Sequence, residues 1–280
     1  MADLETSASM PHDPTPTEEL RFEIDETGIA RITLNRPQAR NALTFAMYEG
    51  LIELCARIEE DRSIRAAILT GAGDKAFAAG TDIAQFRSFE TAQDALGYER
   101  FMDRVLSALE RVRVPTIAAV AGACTGGGAA IAAACDMRLA TRDARFGFPI
   151  ARTLGNCLSM GNLKRLSALI GPARVKDILF TARLVGAEEA LAVGLVGEVV
   201  EDAAALSARA SELAGLLAGH APLTLQATKE GLRRLAEEAA TAEDEGRPGD
   251  DLILMTYLSR DFREGMEAFL AKRKPAWEGR

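Results

Sequence analysis

Histidine is nearly missing from this 280-residue chain: His12 lies in a polar N-terminal stretch and His220 just ahead of Ala221-Pro222, in an expected turn. Two histidines give little material for a histidine-based catalytic dyad or metal cluster. Cysteine is sparse too, and Cys55, Cys124, Cys135 and Cys157 form no CxxC pair. Neither a disulfide framework nor a zinc site is expected, and no metal is assigned. Basic charge is in deficit, with 33 Lys and Arg against 41 Asp and Glu and a formal net charge of −8. A duplex nucleic-acid binder needs a broad basic face to displace counterions, so no nucleic-acid partner is expected and any anionic ligand must be held locally. The first basic residue is Arg21. The N-terminus therefore shows neither the charged start of a secretory signal nor the arginines of a transit peptide, and a cytoplasmic protein is expected.

What is present fits a globular chain: 48% hydrophobic and 26% charged residues, over a length that can bury a full core. Residues 1–19, rich in Pro, Thr, Ser and acids, are expected to be a disordered tail. Phe22–Asp25 and Ile29–Leu34 around Gly28 predict a hairpin. Asn41 then sits where a helix cap belongs, before an apolar stripe from Leu43 to Ile58. The β-branched run Ile64–Thr70 and the apolar run Thr116–Val120 predict strands that each enter a glycine turn and then a helix. The uncharged run Val114–Cys135 is long enough to span a bilayer, but Pro115, Gly122 and Gly126–Gly128 would cripple a lone helix there, and no membrane partner is expected. A strand over Met137–Ala140 and helices over 163–170, 174–181 and 188–193 follow. This alternation predicts an α/β core over 20–200 carrying a helical region over 201–280. Within that region Glu237–Asp251 reads as an acidic linker, and Met255, Leu258, Phe262, Met266 and Phe269 as the stripe of one terminal amphipathic helix.

The two glycine turns are the most informative feature. Each would present unpaired backbone NH groups at a helix start with no side chain in the way, and two side by side make an oxyanion site. They equally permit tight turns and close helix packing. Nucleotide motifs miss: Gly126-Gly127-Gly128-Ala129-Ala130-Ile131 ends in Ile131 rather than the last glycine of GxGxxG, and no Gly-Lys-Ser/Thr follows. Cys157 in place of glycine breaks the nucleophile elbow around Ser159.

Ile32-Thr33-Leu34-Asn35-Arg36-Pro37 with Asn41-Ala42-Leu43, Ala76-Phe77-Ala78-Ala79-Gly80-Thr81-Asp82-Ile83, and Ala121-Gly122 leading to Gly126-Gly127-Gly128 and Ala134-Cys135-Asp136 together resemble the crotonase, or enoyl-CoA hydratase/isomerase, superfamily. Gly194-Leu195-Val196 and Arg263–Phe269 with Lys272-Arg273 extend the resemblance over about Arg21–Trp277. It implies a crotonase-type spiral of ββα units with a C-terminal helical trimerisation region, assembled as a homotrimer or dimer of trimers. It also implies an acyl-CoA thioester substrate, with coenzyme A arriving as part of the substrate and no permanently bound cofactor. Carried over by position, the NH groups of Thr81 and Gly127 form the oxyanion hole, and Ala79 meets the adenine through its backbone. Arg40 and Asn41 lie near the CoA, and Lys272 reaches a neighbouring subunit's CoA phosphates. A solvated helix end is the plain alternative for Lys272.

The departures bear on the reaction. Hydratases of the family carry a glutamate after the triple glycine and another after the Phe-Gly-x-Pro turn; here those positions are Ala130 and Ile150 (or Ala151). Neither can exchange a proton. Replacements would come from Asp82, Arg152, Thr153, Asn156, Cys157 or Ser159, with Ser159 and Asp82 the positional candidates, although each also suits a helix cap. Asp136 is assigned to structure. The reading is a CoA-thioester enzyme stabilising a thioester enolate. Isomerisation, decarboxylation, thioester hydrolysis or non-catalytic acyl-CoA binding are the alternatives.

Overall fold

A computed structural model of the chain describes residues 18–238 and 250–276. Most of the expected tail and linker lies outside these residues. At their edges, Glu18 and Glu19 form a turn whose carbonyls accept from Asn35.

Strands β1 (Leu20–Ile24) and β2 (Ile29–Leu34) form the expected antiparallel hairpin. Helix α1 (Phe45–Glu60) follows, capped by Thr44, whose hydroxyl accepts from Met47 NH. Asn41 is thus not the cap. It sits three residues earlier in left-handed backbone (φ 55°), which its short amide tolerates.

The chain then repeats one unit. β3 (Ala66–Gly71), β5 (Thr116–Val120) and β7 (Met137–Thr141) join β2 in parallel, and β10 (Glu198–Val200) completes a six-stranded sheet ordered β1-β2-β3-β5-β7-β10. After each of β3, β5 and β7 a turn leads to a short strand, β4 (Ala76–Ala78), β6 (Ala123–Thr125) or β8 (Arg145–Gly147), of a second sheet closed by β9 (Val185–Gly186), ordered β4-β6-β8-β9. The result is a spiral with one strand of each turn in each sheet, as expected. The three-residue strands carry too few residues for an alternating pattern to register.

Helices α2 (Ala92–Arg111), α3 (Gly127–Ala134), α4 (Ile150–Thr153), α5 (Met160–Ile170), α6 (Pro172–Thr181) and α7 (Ala187–Ala192) fill the spiral's outside and interior. Residues 128–134 of α3 are all buried, which accounts for the alanine-rich run. Asp136 is structural, as assigned: it accepts from Thr116 NH and hydroxyl at the start of β5 and pairs with Lys229. Lys229 belongs to α9 (Pro222–Glu238), which follows α8 (Ala203–Ala218).

The terminal stripe is not one helix. α10 (Asp250–Tyr257) stops, Ser259 caps a new helix by accepting from Phe262 NH, and α11 (Arg260–Leu270) begins. A serine oxygen competes for the backbone NH groups that would continue the first helix, and breaks it here. Both helices fold back on their own chain: α10 packs on α2, and α11 on α4 and the 3-10 turn Ile83–Ser88. Phe262 and Tyr257 are buried with Phe86, whereas Leu258 and Phe269 stay exposed.

Candidate active site

The spiral brings the two glycine turns into contact. A Cβ on Gly127 would overlap the Tyr48 hydroxyl and lie 3.1 Å from Thr81 Oγ1, and one on Gly126 would lie 3.4 Å from Gly80 Cα. Gly126 (φ 51°, ψ −122°) also holds a conformation closed to side-chain-bearing residues. Ala129 and Ala130 sit in the first turn of α3, so the Gly127 NH leads a helix start. Neither the Thr81 NH nor the Gly127 NH donates to an acceptor among the described residues. Two free donors therefore stand side by side on one wall of a cavity of about 610 Å³.

Thr81 is fixed from behind. Its hydroxyl lies 2.9 Å from the Tyr48 hydroxyl and 3.0 Å from that of Tyr98. Burial pushes both phenols well above their ordinary pKa, so they stay neutral, as hydrogen-bonding groups and not charges.

Of the residues singled out from sequence, Arg40, Ala79, Thr81, Asp82, Gly127, Thr153, Asn156 and Cys157 line this cavity; Asn41, Arg152, Ser159 and Lys272 do not. Arg40 is exposed and its guanidinium has no partner among the described residues, which suits it to a phosphate. The Ala79 NH is spent on Arg40 O, so its carbonyl is what it can offer a ligand. Asn41 is 1% exposed: its amide donates to Ala72 O and Ala76 O, and its oxygen accepts from Arg36 NH. That clamp fixes the loop against β4 and leaves Asn41 nothing for a ligand.

Asp82 caps the 3-10 turn through Ala84 NH and pairs with Arg36 at 3.1 Å, which occupies both carboxylate oxygens. Ser159, 3% exposed, caps α5 through Asn162 NH and donates to Asp103. In both residues the capping role expected as the alternative is present. The Cys157 thiol lies on the cavity wall, but burial pushes it up and away from thiolate chemistry. Lys272 is the left-handed residue that ends α11, exposed at the surface. Ala130 and Ile150 both face the cavity, an apolar pair beside the free NH groups.

The opposite wall holds Asn156, one of the polar candidates, together with what sequence reading missed: Tyr98 and Glu99 of α2 and Tyr257 of α10. The signal was there. Ala95, Met102, Val105, Leu106 and Leu109 are the buried stripe of α2, and Glu99 falls within it, a charge at a core position.

Comparison with known proteins settles the family. The family model for enoyl-CoA hydratase/isomerase matches residues 25–280. The chain belongs to the enoyl-CoA hydratase/isomerase family, within the crotonase superfamily. The short-chain-enoyl-CoA hydratase of Clostridium acetobutylicum is 35% identical over 252 residues, 89% of this chain and 94% of that one. A methylmalonyl-CoA decarboxylase in complex with 2-nitronate-propionyl-CoA superposes with TM-score 0.82 at 28% identity, covering 94% of this chain and 99% of that one. A monofunctional enoyl CoA isomerase from M. smegmatis gives TM-score 0.66 at 33% identity, covering 79% and 95%. Hydratase, decarboxylase and isomerase share this scaffold, so membership makes the chain a family enzyme acting on CoA thioesters and leaves the reaction to the site residues.

Proposed function

We propose that this family member forms and stabilises enolates of acyl-CoA thioesters, with the thioester oxygen held between the NH groups of Thr81 and Gly127. The observation that carries the reading is the pair of free donors pressed together at the start of a buried helix. Such donors, preorganised where negative charge develops, favour the enolate over the neutral thioester. Arg40 and the Ala79 carbonyl are the groups for the phosphates and adenine of coenzyme A, which enters and leaves as part of the substrate with no resident cofactor. Lys272, exposed at the end of α11, is the group proposed for the CoA phosphates of a neighbouring subunit.

Ala130 and Ile150 remove the paired acid and base that hydration needs, so water addition is a minor activity of this site. Leu216, Leu223, Leu232 and Leu235 of α8 and α9 are exposed apolar residues that favour assembly, as a homotrimer or dimer of trimers in the cytoplasm. None of the described helices is long and apolar enough to cross a membrane. Calorimetric titration tests the reading: butyryl-CoA should bind more tightly than free CoA, and the difference should vanish in Gly127→Pro. Equal affinities for the two ligands in the wild-type protein would count against it.

A further inference from the structure

The cavity has a second polar centre, remote in sequence from both glycine turns. Glu99 is 5% exposed and lines the cavity from α2. Tyr257 donates to its Oε1 at 2.6 Å, and Asn156 Nδ2 donates to the Tyr257 oxygen at 3.1 Å. Three segments thus converge on one carboxyl. Asn156 Oδ1 is buried and accepts from nothing among the described residues.

A carboxylate at a core position costs several kcal/mol in desolvation. Packing gives no reason for it, since the flanking positions of the stripe, Ala95 and Met102, are apolar. Its partner Tyr257 belongs to an aromatic cluster with Phe86, Tyr98 and Phe262, with ring centroids 4.9 Å apart for Phe86 and Tyr98 and 4.8 Å apart for Tyr257 and Phe262. The chain has three tyrosines, and all three meet here: Tyr48 and Tyr98 on Thr81, Tyr257 on Glu99.

Building on the enolate reading above, we infer that Glu99 is the proton-transfer residue of this site and that the reaction is double-bond isomerisation of enoyl thioesters. The Glu99 carboxylate removes a proton from C4 of a 2-enoyl thioester. The C–H electron pair becomes the C3=C4 bond, the former C2=C3 pair shifts to C1=C2, and charge reaches the thioester oxygen between Thr81 NH and Gly127 NH. The protonated Glu99 then returns its proton to C2, leaving the 3-enoyl thioester; the reverse order runs the reaction backward. No water is consumed and nothing is oxidised or reduced. One carboxyl suffices for this shift, whereas hydration needs one group for water and another for the α-carbon. Tyr257 orients Glu99 and is a positioning residue.

The titratable groups that Glu99 influences are the hydroxyls of Tyr257, Tyr98 and Tyr48 and the Cys157 thiol. Burial is the leading cause that raises each of them, and the Glu99 charge adds to it. All four stay protonated at neutral pH and contribute no acid limb to the rate.

The test is interconversion of 3-butenoyl-CoA and crotonyl-CoA, read by conjugated-thioester absorbance, together with butyryl-CoA affinity by calorimetry. Glu99→Gln should lower the rate about 10²-fold or more with affinity little changed. Tyr257→Phe should lower the rate less than Glu99→Gln does and move the acid limb to higher pH, because the carboxylate loses a donor. A Glu99→Gln protein that binds and isomerises like wild type overturns the proposal. If Glu99→Gln does not fold, an unshifted profile in Tyr257→Phe overturns it instead. Loss in Glu99→Gln with full activity in Gly127→Pro would strike the oxyanion reading while leaving Glu99 in place. No isomerisation by the wild-type protein overturns both.

Discussion

The two walls of the cavity are built by different means. The oxyanion wall is backbone: two turns, each within a few residues of one core strand, held by the register of the parallel sheets and by the Asn41 clamp. The acyl wall is side chains from α2, the 154–158 loop and α10, with Tyr257 lying 158 positions from its partner Glu99. Parallel strands cannot drift without breaking both sheets, so the first wall is rigid and suited to a charge common to all thioester chemistry. The second wall depends on where a C-terminal helix pair docks, and it is there that one family scaffold can be given different reactions.

The largest expected effect lies between the walls. Crotonyl-CoA hydration by the wild-type protein should be about 10² to 10⁴-fold slower than by a relative with both glutamates, because each positioned acid or base contributes on that scale. Placing Ala130→Glu and Ile150→Glu together should raise it; hydration at a full hydratase rate without them would break the division of labour drawn here. On the oxyanion side alone, Gly127→Ala forces a methyl into the Tyr48 hydroxyl and Gly127→Pro removes the donor. Either should cost roughly 10²-fold in turnover. Steady-state kinetics on folded variants reads this directly.

How far each wall was legible follows from the same contrast. The free NH groups of Thr81 and Gly127 were legible because each stands beside a glycine turn that shows in the sequence. Ser159 and Asp82 both cap helical turns in the structure, and a polar residue at a helix start looks the same in sequence whether it caps or reacts. Asn41 was misplaced by three residues, its buried clamp to Ala72 and Ala76 being invisible without the fold. Glu99 could have been found as the one charge within an apolar helix stripe. Its link to Tyr257, and through Tyr257 to the candidate Asn156, could not, because no local pattern joins residues so far apart. The stripe read as one terminal helix failed at Ser259, a cap signal read as an ordinary polar position.

Smaller effects sharpen the comparison. Asn41→Ala leaves the buried Ala76 carbonyl without its partner and should destabilise the fold by about 1 to 3 kcal/mol in urea unfolding. Ser159→Ala removes only a cap and should cost about 1 kcal/mol, with isomerisation retained. A Ser159→Ala protein that is stable but inactive would return that hydroxyl to the chemistry.

The most direct test of the account is one incubation: purified wild-type protein with crotonyl-CoA in deuterium oxide, followed by NMR. A dienolate held by Thr81 and Gly127 and reprotonated by a single carboxyl predicts deuterium at C4 and C2 of the enoyl thioester, appearing faster than 3-hydroxybutyryl-CoA. Rapid 3-hydroxybutyryl-CoA formation with an unlabelled C4 methyl would contradict it.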